Sequence, residues 1–473
     1  MSSRAPSLRR RVFLISAVFL VFVIALLIFP KCKPSPSPED ASVPLEQKAV
    51  SFPPEYSMTP FESRFCADRF GIPYLEHLRD SATEYCTSES SSALTCFHAK
   101  ITDTLRIDTM CIGQDSGFDP ATRKFRLGCE LRELNESKTS VPIPKYGKFN
   151  NYWYRTGPQV IFDESVVLWN KIRSQERQCS PNYTILTKRE GSKNLWHCLM
   201  EIFSMTIALD VLQISTRPND SRPFLTAANA ENTQVVFLDD EDDGPYFDLW
   251  SVFAQKPTLR MKDVPGITSF ENIIVPLAGG SNPFWQGDWE AHSCEDSALL
   301  RTFSRRILNF YDVGAREPRQ GDWIVVTFID RVENRRLVDQ ERYLELLRST
   351  FAHIKVQSID FAIIPFNAQL EVIRDTDLLL GVHGAGLTHA MFLQPRSSVV
   401  EILPSSFNHK GFRNVAGVMG HSYFSAHASE QPLRKRKDWQ HDDVYLEQDK
   451  FMELMNIAIK ATYKKGHRNY DTV

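Results

Sequence analysis

From Asp322 onward, short and almost wholly apolar runs alternate with runs of helical character. Residues 323–329 (WIVVTFI), 353–359 (HIKVQSI), 377–382 (DLLLGV) and 399–403 (VVEIL) have strand length. Between them, residues 339–348 (DQERYLELLR), with Asp339 as an expected cap, and 368–375 (AQLEVIRD) carry helical spacing. Strands apolar on both faces, alternating with helices, predict a parallel sheet covered on both sides, an α/β fold. In such a sheet ligands bind beyond the carboxyl ends of the strands. The residues just past each strand are therefore the first candidates for a site.

Residues 377–393 (DLLLGVHGAGLTHAMFL) read as a strand, a glycine turn and a helix start. Free N–H groups and the positive end of a helix dipole make such a turn an anion site, and glycine lets a phosphate approach closely. Arg331, Arg335 and Arg336 come after the first strand, His383-Gly384-Ala385-Gly386 after the third, and Glu401 lies in the fourth. Arginine forks, backbone donors and one carboxylate for ribose hydroxyls suit a nucleoside diphosphate. The plain alternatives are a solvated loop for Arg335 and Arg336 and a backbone-bonded core histidine for His383. Glu401 must be paired or near water, because an isolated buried carboxylate is costly.

Further back, residues 195–212 form a strong helix candidate, and residues 234–239 (QVVFLD) a buried strand ending in acid. Asn194, His197 and Glu201 share one face of that helix. His197 is the candidate acid–base group, with Glu201 beside it; a core helix whose histidine bonds a neighbour is the alternative. The run Asp239-Asp240-Glu241-Asp242-Asp243 offers hard oxygen ligands to a divalent ion, or is a solvated loop. No CxxC pair occurs, so a zinc ribbon is not expected.

Compartment is read from the N-terminus. Residues 12–29 are apolar except for Ser16, and Arg4, Arg9, Arg10 and Arg11 precede them. Span length and charge bias predict a signal anchor with the remaining chain in the lumen, against the alternative of a cleaved signal peptide. Residues 1–11 then form a cytosolic tail and the Pro- and Ser-rich residues 30–60 a stem. After Cys32 come eight cysteines, five of them between residues 66 and 129, expected to form disulfides among short helices and loops. Buried free thiols are the alternative. Asn135, Asn182 and Asn219 stand in glycosylation sequons. The formal charge of −3 speaks against a nucleic-acid binder. At 473 residues two lobes are expected, placed at 61–315 and 316–430, with residues 431–473 as a linker and closing helix.

These motifs resemble glycosyltransferase family 61. The resemblance rests on residues 383–387 (HGAGL), 392–395 (FLQP) and 401–404 (EILP). It extends through residues 65–71 (FCADRFG), 74–80 (YLEHLRD), Tyr85-Cys86, 94–97 (LTCF), 300–303 (LRTF) and 374–378 (RDTDL), covering about residues 61 to 425. The resemblance implies a GT-B architecture, two Rossmann-like lobes facing across a cleft, with the UDP-sugar held by the C-terminal lobe. It implies inverting transfer of GlcNAc from UDP-GlcNAc to Ser or Thr hydroxyls of EGF-like or other secreted domains. No cofactor is expected to be required, with a divalent cation as the alternative. Carried over by position, Arg331, His383, Gly384, Ala385 and Gly386 would contact the diphosphate, with Leu387 closing the motif, and Glu401 the ribose. His197 matches an Asn-x-x-His element facing the acceptor. Two departures stand out. The chain ends NYDTV in place of an ER-retention tetrapeptide, which points to an ER or Golgi membrane, and Ala254-Gln-Lys256 replaces an expected Asp-Tyr-Asp element. A β-1,2-xylosyltransferase acting on a glycan, and an inactive scaffold keeping the fold, are the rival readings.

Overall fold

The computed structural model describes residues 52–57, 63–101, 106–134, 142–169, 182–217, 220–264, 270–314, 323–429, 438–464 and 469–472. The expected tail, membrane span and most of the stem lie outside them, as do Cys32, Cys179, Asn135 and Asn219.

Two large sheets organise the described chain. The first has seven strands in the order β1 (Thr83–Glu84), β2 (Ala93–Ala99), β3 (Asp108–Gln114), β12 (Asn272–Val275), β7 (Tyr183–Thr187), β10 (Thr233–Phe237) and β11 (Lys256–Arg260). Strands β12, β7, β10 and β11 run parallel, and β1 to β3 extend the sheet antiparallel. Small sheets of β4 (Gly117–Asp119), β5 (Lys124–Leu127) and β6 (Val166–Leu168), and of β8 (Thr216–Arg217) and β9 (Asp220–Pro223), flank it.

The second sheet is wholly parallel, in the order β14 (Ile354–Ile359), β13 (Ile324–Ile329), β15 (Leu378–Val382), β16 (Ser398–Leu403), β17 (Ser422–His427), β18 (Asn469–Thr472). Numbered within the sheet this is 2-1-3-4-5-6. The strand order reverses between β13 and β15, and a doubly wound sheet opens its ligand crevice at that reversal.

Nine α-helices are described: α1 (Arg64–Phe70), α2 (Ile72–Asp80), α3 (Pro158–Ser165), α4 (Leu195–Ile214), α5 (Ala298–Phe310), α6 (Gln340–Thr350), α7 (Phe366–Arg374), α8 (Gly411–Val418) and α9 (Gln448–Tyr463). Alternation of side chains along each strand splits the core of the second sheet. Leu378, Leu380 and Val382 face Leu344 of α6 and Phe451 of α9. Leu379, Val399 and Tyr423 face the other way, into a core shared with Leu370 of α7, Val415 of α8 and Phe303 of α5. That same core takes in α4 and the α1–α2 face of the first sheet. Helix α4 is long and apolar enough to cross a membrane, but it is 94% buried inside the protein, and an all-round apolar helix of this kind is a core helix. Its acid Asp210 is answered by Arg306 of α5 at 2.8 Å and by the Tyr56 hydroxyl at 2.6 Å.

Three expectations are corrected. The cysteine-rich region is two helices followed by strands, not helices and loops: Cys96 and Cys111 face each other across β2 and β3 and are bonded, as are Cys86 with Cys129 and Cys66 with Cys294. Asp339 stands at the start of α6 in the left-handed region (φ 59°), where its side chain makes no capping bond. The segment after the glycine turn is a 3-10 helix, Ala385–Phe392, wedged into the short connection between β15 and β16.

Candidate functional site

The turn beyond β15 and the loop beyond β13 meet at the strand reversal. A methyl group on Gly384 would lie 2.3 Å from Arg331 Nη1 and 3.4 Å from Arg335 Nη2, so two guanidiniums crowd the bare backbone of the turn. The loop after β13 brings them there through a left-handed Arg335 (φ 55°) and a 2.8 Å bond from Arg331 Nε to the Asn334 carbonyl. Gly386 is held close by Ile329, whose Cγ2 a methyl there would meet at 2.9 Å. Among the described residues no carboxylate pairs with either arginine, and Arg335 Nε is buried without a partner. Burial lowers the pKa of Arg331; burial and the neighbouring Arg331 charge push Arg335 down to about 10. Two adjacent, partly desolvated cations are unfavourable alone and favour an anion between them.

Arg336 is placed differently. It is exposed and bonded to Asp443 at 2.9 Å, so it does not join the pair over the turn. An open cleft of about 630 Å³ lies alongside, lined by Arg331, Val332, Arg336, Asp339, Gln340 and Asp443.

His383, Glu401 and Tyr423 share one face of the sheet by strand alternation, with Gly381 paired to Glu401 leaving room between them. His383 Nδ1 donates to Glu401 Oε1 at 2.5 Å, and the Tyr423 hydroxyl donates to Oε2 at 2.5 Å. Glu401 is 1% exposed, and both its oxygens are engaged. The carboxylate expected to meet a ribose thus braces His383 from behind. Burial lowers the pKa of His383, with Glu401 pulling it back up.

Aromatic rings that no sequence motif pointed to surround His383. Phe407 stands at 4.6 Å between centroids, His409 at 5.1 Å, Phe412 at 5.3 Å and Trp439 at 6.2 Å. Phe407 stacks on Trp439 at 4.3 Å, and the Arg335 guanidinium lies 5.7 Å from the Trp439 ring. His409 Nε2 is 3.0 Å from Asp288, which comes from the loop after β12 in the other sheet. The only advance signal was an unusual density of aromatics in residues 284–289 (FWQGDW) and 407–412 (FNHKGF).

On α4 the expected polar stripe separates into three roles. Asn194 is the helix cap, accepting from the Trp196 and His197 amides at 3.0 and 3.4 Å. His197 is half-buried between Tyr154 (5.2 Å) and Trp285 (4.7 Å), with Nδ1 3.3 Å from the Glu190 carbonyl. Burial lowers its pKa, which suits a neutral imidazole able to accept a proton. Glu201 is buried, accepts the Glu190 amide at 2.5 Å, and is pushed well up by burial and by Glu190. It belongs to the core and does not reach the cleft. Trp285 touches Trp196, Trp196 touches Phe412, and Phe412 touches His383, so a chain of rings joins His197 to the turn.

The acidic run holds no metal cage among the described residues. Asp239 is tied to the buried Arg189 by bonds at 2.8 and 3.1 Å, Asp242 gives Arg189 its carbonyl, and Asp240 is exposed 4.0 Å from Lys262. Asp239 is thus a structural partner and not a free ligand. Cys198 is a buried free thiol. Asn182 accepts a 2.7 Å bond from Lys256 at the start of β7.

Comparison with known proteins bears on the same elements. The family model described as Glycosyltransferase 61 matches residues 195–400. The EGF domain-specific O-linked N-acetylglucosamine transferase of Drosophila melanogaster is 28% identical over 228 residues, 46% of this chain and 40% of that protein. The protein of the same name from Canis lupus familiaris is 31% identical over 161 residues, 33% of this chain and 30% of its own length. The protein O-linked-mannose beta-1,4-N-acetylglucosaminyltransferase 2 of Tetraodon nigroviridis is 24% identical over 201 residues, 40% and 34% of the two chains. The chain thus spans 40% or less of the length of these relatives. The matched segment begins with α4 and His197, contains Arg331 and the whole glycine turn, and stops one residue before Glu401; over residues 195–400 the chain is similar to glycosyltransferase 61.

Proposed function

We propose that this protein is an inverting glycosyltransferase that moves GlcNAc from UDP-GlcNAc to Ser or Thr hydroxyls of secreted domains, EGF-like domains foremost. The observation that carries this reading is the pair of guanidiniums over Gly384 at the strand reversal, which no carboxylate pairs with among the described residues. A diphosphate fits there: Arg331 and Arg335 would meet its oxygens, and they would offset the charge that builds up on the leaving UDP. With Asp239 committed to Arg189, these cations carry that task without help from the acidic run. His197, neutral and half-buried, is the group placed to accept the proton of the attacking hydroxyl.

Two α/β sheets sharing one core, with the donor site at the edge of the second, support a GT-B reading. The disulfides fit an oxidising lumen, and an anchor at residues 12–29 would hold the protein in an ER or Golgi membrane. The donor sugar follows the names of the Drosophila and dog relatives. The Tetraodon relative favours a second acceptor, an O-linked mannose, with the same donor.

Thermal denaturation of the full chain with UDP-GlcNAc, UDP-xylose or GDP-mannose tests this. Ligand at a hundred times its Kd adds about 2.7 kcal/mol to stability. We expect UDP-GlcNAc to raise Tm and GDP-mannose to leave it unchanged. If no UDP-sugar raises Tm, the donor reading fails. GlcNAc transfer to a folded EGF-like domain, against transfer to an O-mannosylated peptide, then separates the two acceptors.

A further inference from the structure

Glu401 is 1% exposed and each of its oxygens already accepts a bond within the protein, yet it stands one side chain behind the turn that faces a ligand. We propose that Glu401, braced by Tyr423, is a positioning residue that lets His383 take up a proton when the donor diphosphate enters, so that donor binding and protonation of His383 are one coupled event. This rests on the reading that the turn holds a UDP-sugar.

The geometry leaves His383 a single free nitrogen. Nδ1 donates to Glu401 Oε1 at 2.5 Å, so Nε2 alone can meet a ligand. In the neutral ring that nitrogen carries a lone pair, which repels a phosphate oxygen. It becomes a donor only by gaining a proton, and the imidazolium would then sit between the Glu401 carboxylate and the phosphate. A Glu401 that accepts from both His383 and Tyr423 is held oriented for that role.

The surroundings set the direction of the coupling. From the loop after β13, Arg335 faces His383 with Arg331 beside it; from the loop before α8 comes His409, bonded to Asp288. Phe407, Phe412 and Trp439 fill the remaining sides without charge. Without a ligand, burial and the neighbouring His409 and Arg335 oppose a proton on His383, and only Glu401 favours it. An anionic diphosphate neutralises the guanidiniums and adds its own pull. One proton passes from solvent to Nε2 on binding and returns when the nucleotide leaves. No covalent bond is made or broken elsewhere. Since the free histidine lies low and the bound one high, affinity falls as pH rises through the interval between them, by up to about tenfold per pH unit.

Titration calorimetry of the full chain with UDP-GlcNAc reads this directly. Its pyrophosphate diester exchanges no proton near neutrality, and apparent enthalpies in PIPES and in Tris give the protons taken up. We expect uptake approaching one proton for the native chain, the limit for one titrating group. Glu401→Gln should bind about ten- to a hundredfold more weakly and take up none. Tyr423→Phe, which keeps the carboxylate, should retain uptake. Binding by the native chain without proton uptake overturns the coupling whether or not the variants fold. Uptake that persists in Glu401→Gln places the titrating group elsewhere and overturns it too. Absence of any UDP-GlcNAc binding overturns the donor reading, and the coupling with it.

Discussion

Replacing Gly384 by Ala tests whether the crowding over the turn serves binding or folding. The added methyl would lie 2.3 Å from Arg331 Nη1, and Cβ atoms do not come closer than about 3.0 Å to such neighbours, so the guanidinium must retreat by some 0.7 Å. A charge-assisted bond to a phosphate oxygen is about 2.7–2.9 Å long. Lengthened by that amount it reaches about 3.5 Å and ceases to be a bond of any strength. Each such bond is worth about 1.5–3 kcal/mol, so losing one weakens UDP binding about ten- to 150-fold. Stability should fall by about 1–3 kcal/mol, because Gly384 lies at φ 157°, ψ 172°, where a side chain is strained even after the flexible arginine has moved aside. Calorimetric titration with UDP beside a thermal melt separates the two quantities. Gly147→Ala, at φ 85° where a methyl meets open space, is the control for backbone strain without crowding. Native-like UDP affinity in a normally folded Gly384→Ala protein would refute the placement of the diphosphate over this turn.

Asp239→Ala should lower unfolding free energy by about 3–5 kcal/mol, because it strands the buried Arg189, while EDTA should leave native turnover untouched; a folded, stable variant with metal-dependent activity would restore the acidic run as a metal site. Asp108 is fully buried against Arg106, Tyr152 and Gln286, and burial pushes its pKa from 3.8 up to about 6. The folded chain therefore holds this proton to higher pH than the unfolded chain. Its stabilising contribution is full below about pH 4 and is lost on rising through pH 6, a change of roughly 3 kcal/mol. Denaturant titrations at pH 4.5 and 7 should show the native chain losing stability relative to Asp108→Asn as pH rises; the opposite sign would mean that the Arg106 charge outweighs burial.

The parallel sheet was legible almost to the residue. The run at 323–329 became Ile324–Ile329 because a strand buried on both faces writes itself as nearly unbroken apolar sequence, while 353–359 became Ile354–Ile359, a half-buried edge strand in which Ile354 and Val356 alternate with Lys355 and Gln357. The cysteine-rich region was harder. Strands β2 (ALTCFHA) and β3 (DTMCIGQ) mix polar and apolar side chains, yet nearly every position is buried, so neither periodicity nor continuity marks them. In the candidate site the glycine turn and Arg331 were legible, since each comes directly after a readable strand. Glu401 was legible but its partners were not: an acid in an apolar strand announces that it has a partner, while one of them, Tyr423, lies 22 residues on, on the next strand. Arg335 and Arg336 are adjacent in sequence and part ways only because Asp443, more than a hundred residues later, binds the second. The rings of Phe407, His409 and Trp439 sit in loops, where no period exists to read.

The core that runs unbroken from α1 and α2 through α4 to the β15–β16 face has a mechanical consequence. Two lobes joined only by linkers can swing apart on hinges, but here a swing would expose the leucines and phenylalanines of α4, α5 and α7 together. Rocking of one sheet against the other is therefore stiff. Admission and release of substrates would fall to the loops around Trp289, Phe407 and Trp439. For the same reason neither sheet should survive as a separately expressed half: severed from its counterpart, each would present a greasy face the size of a domain core, and aggregate.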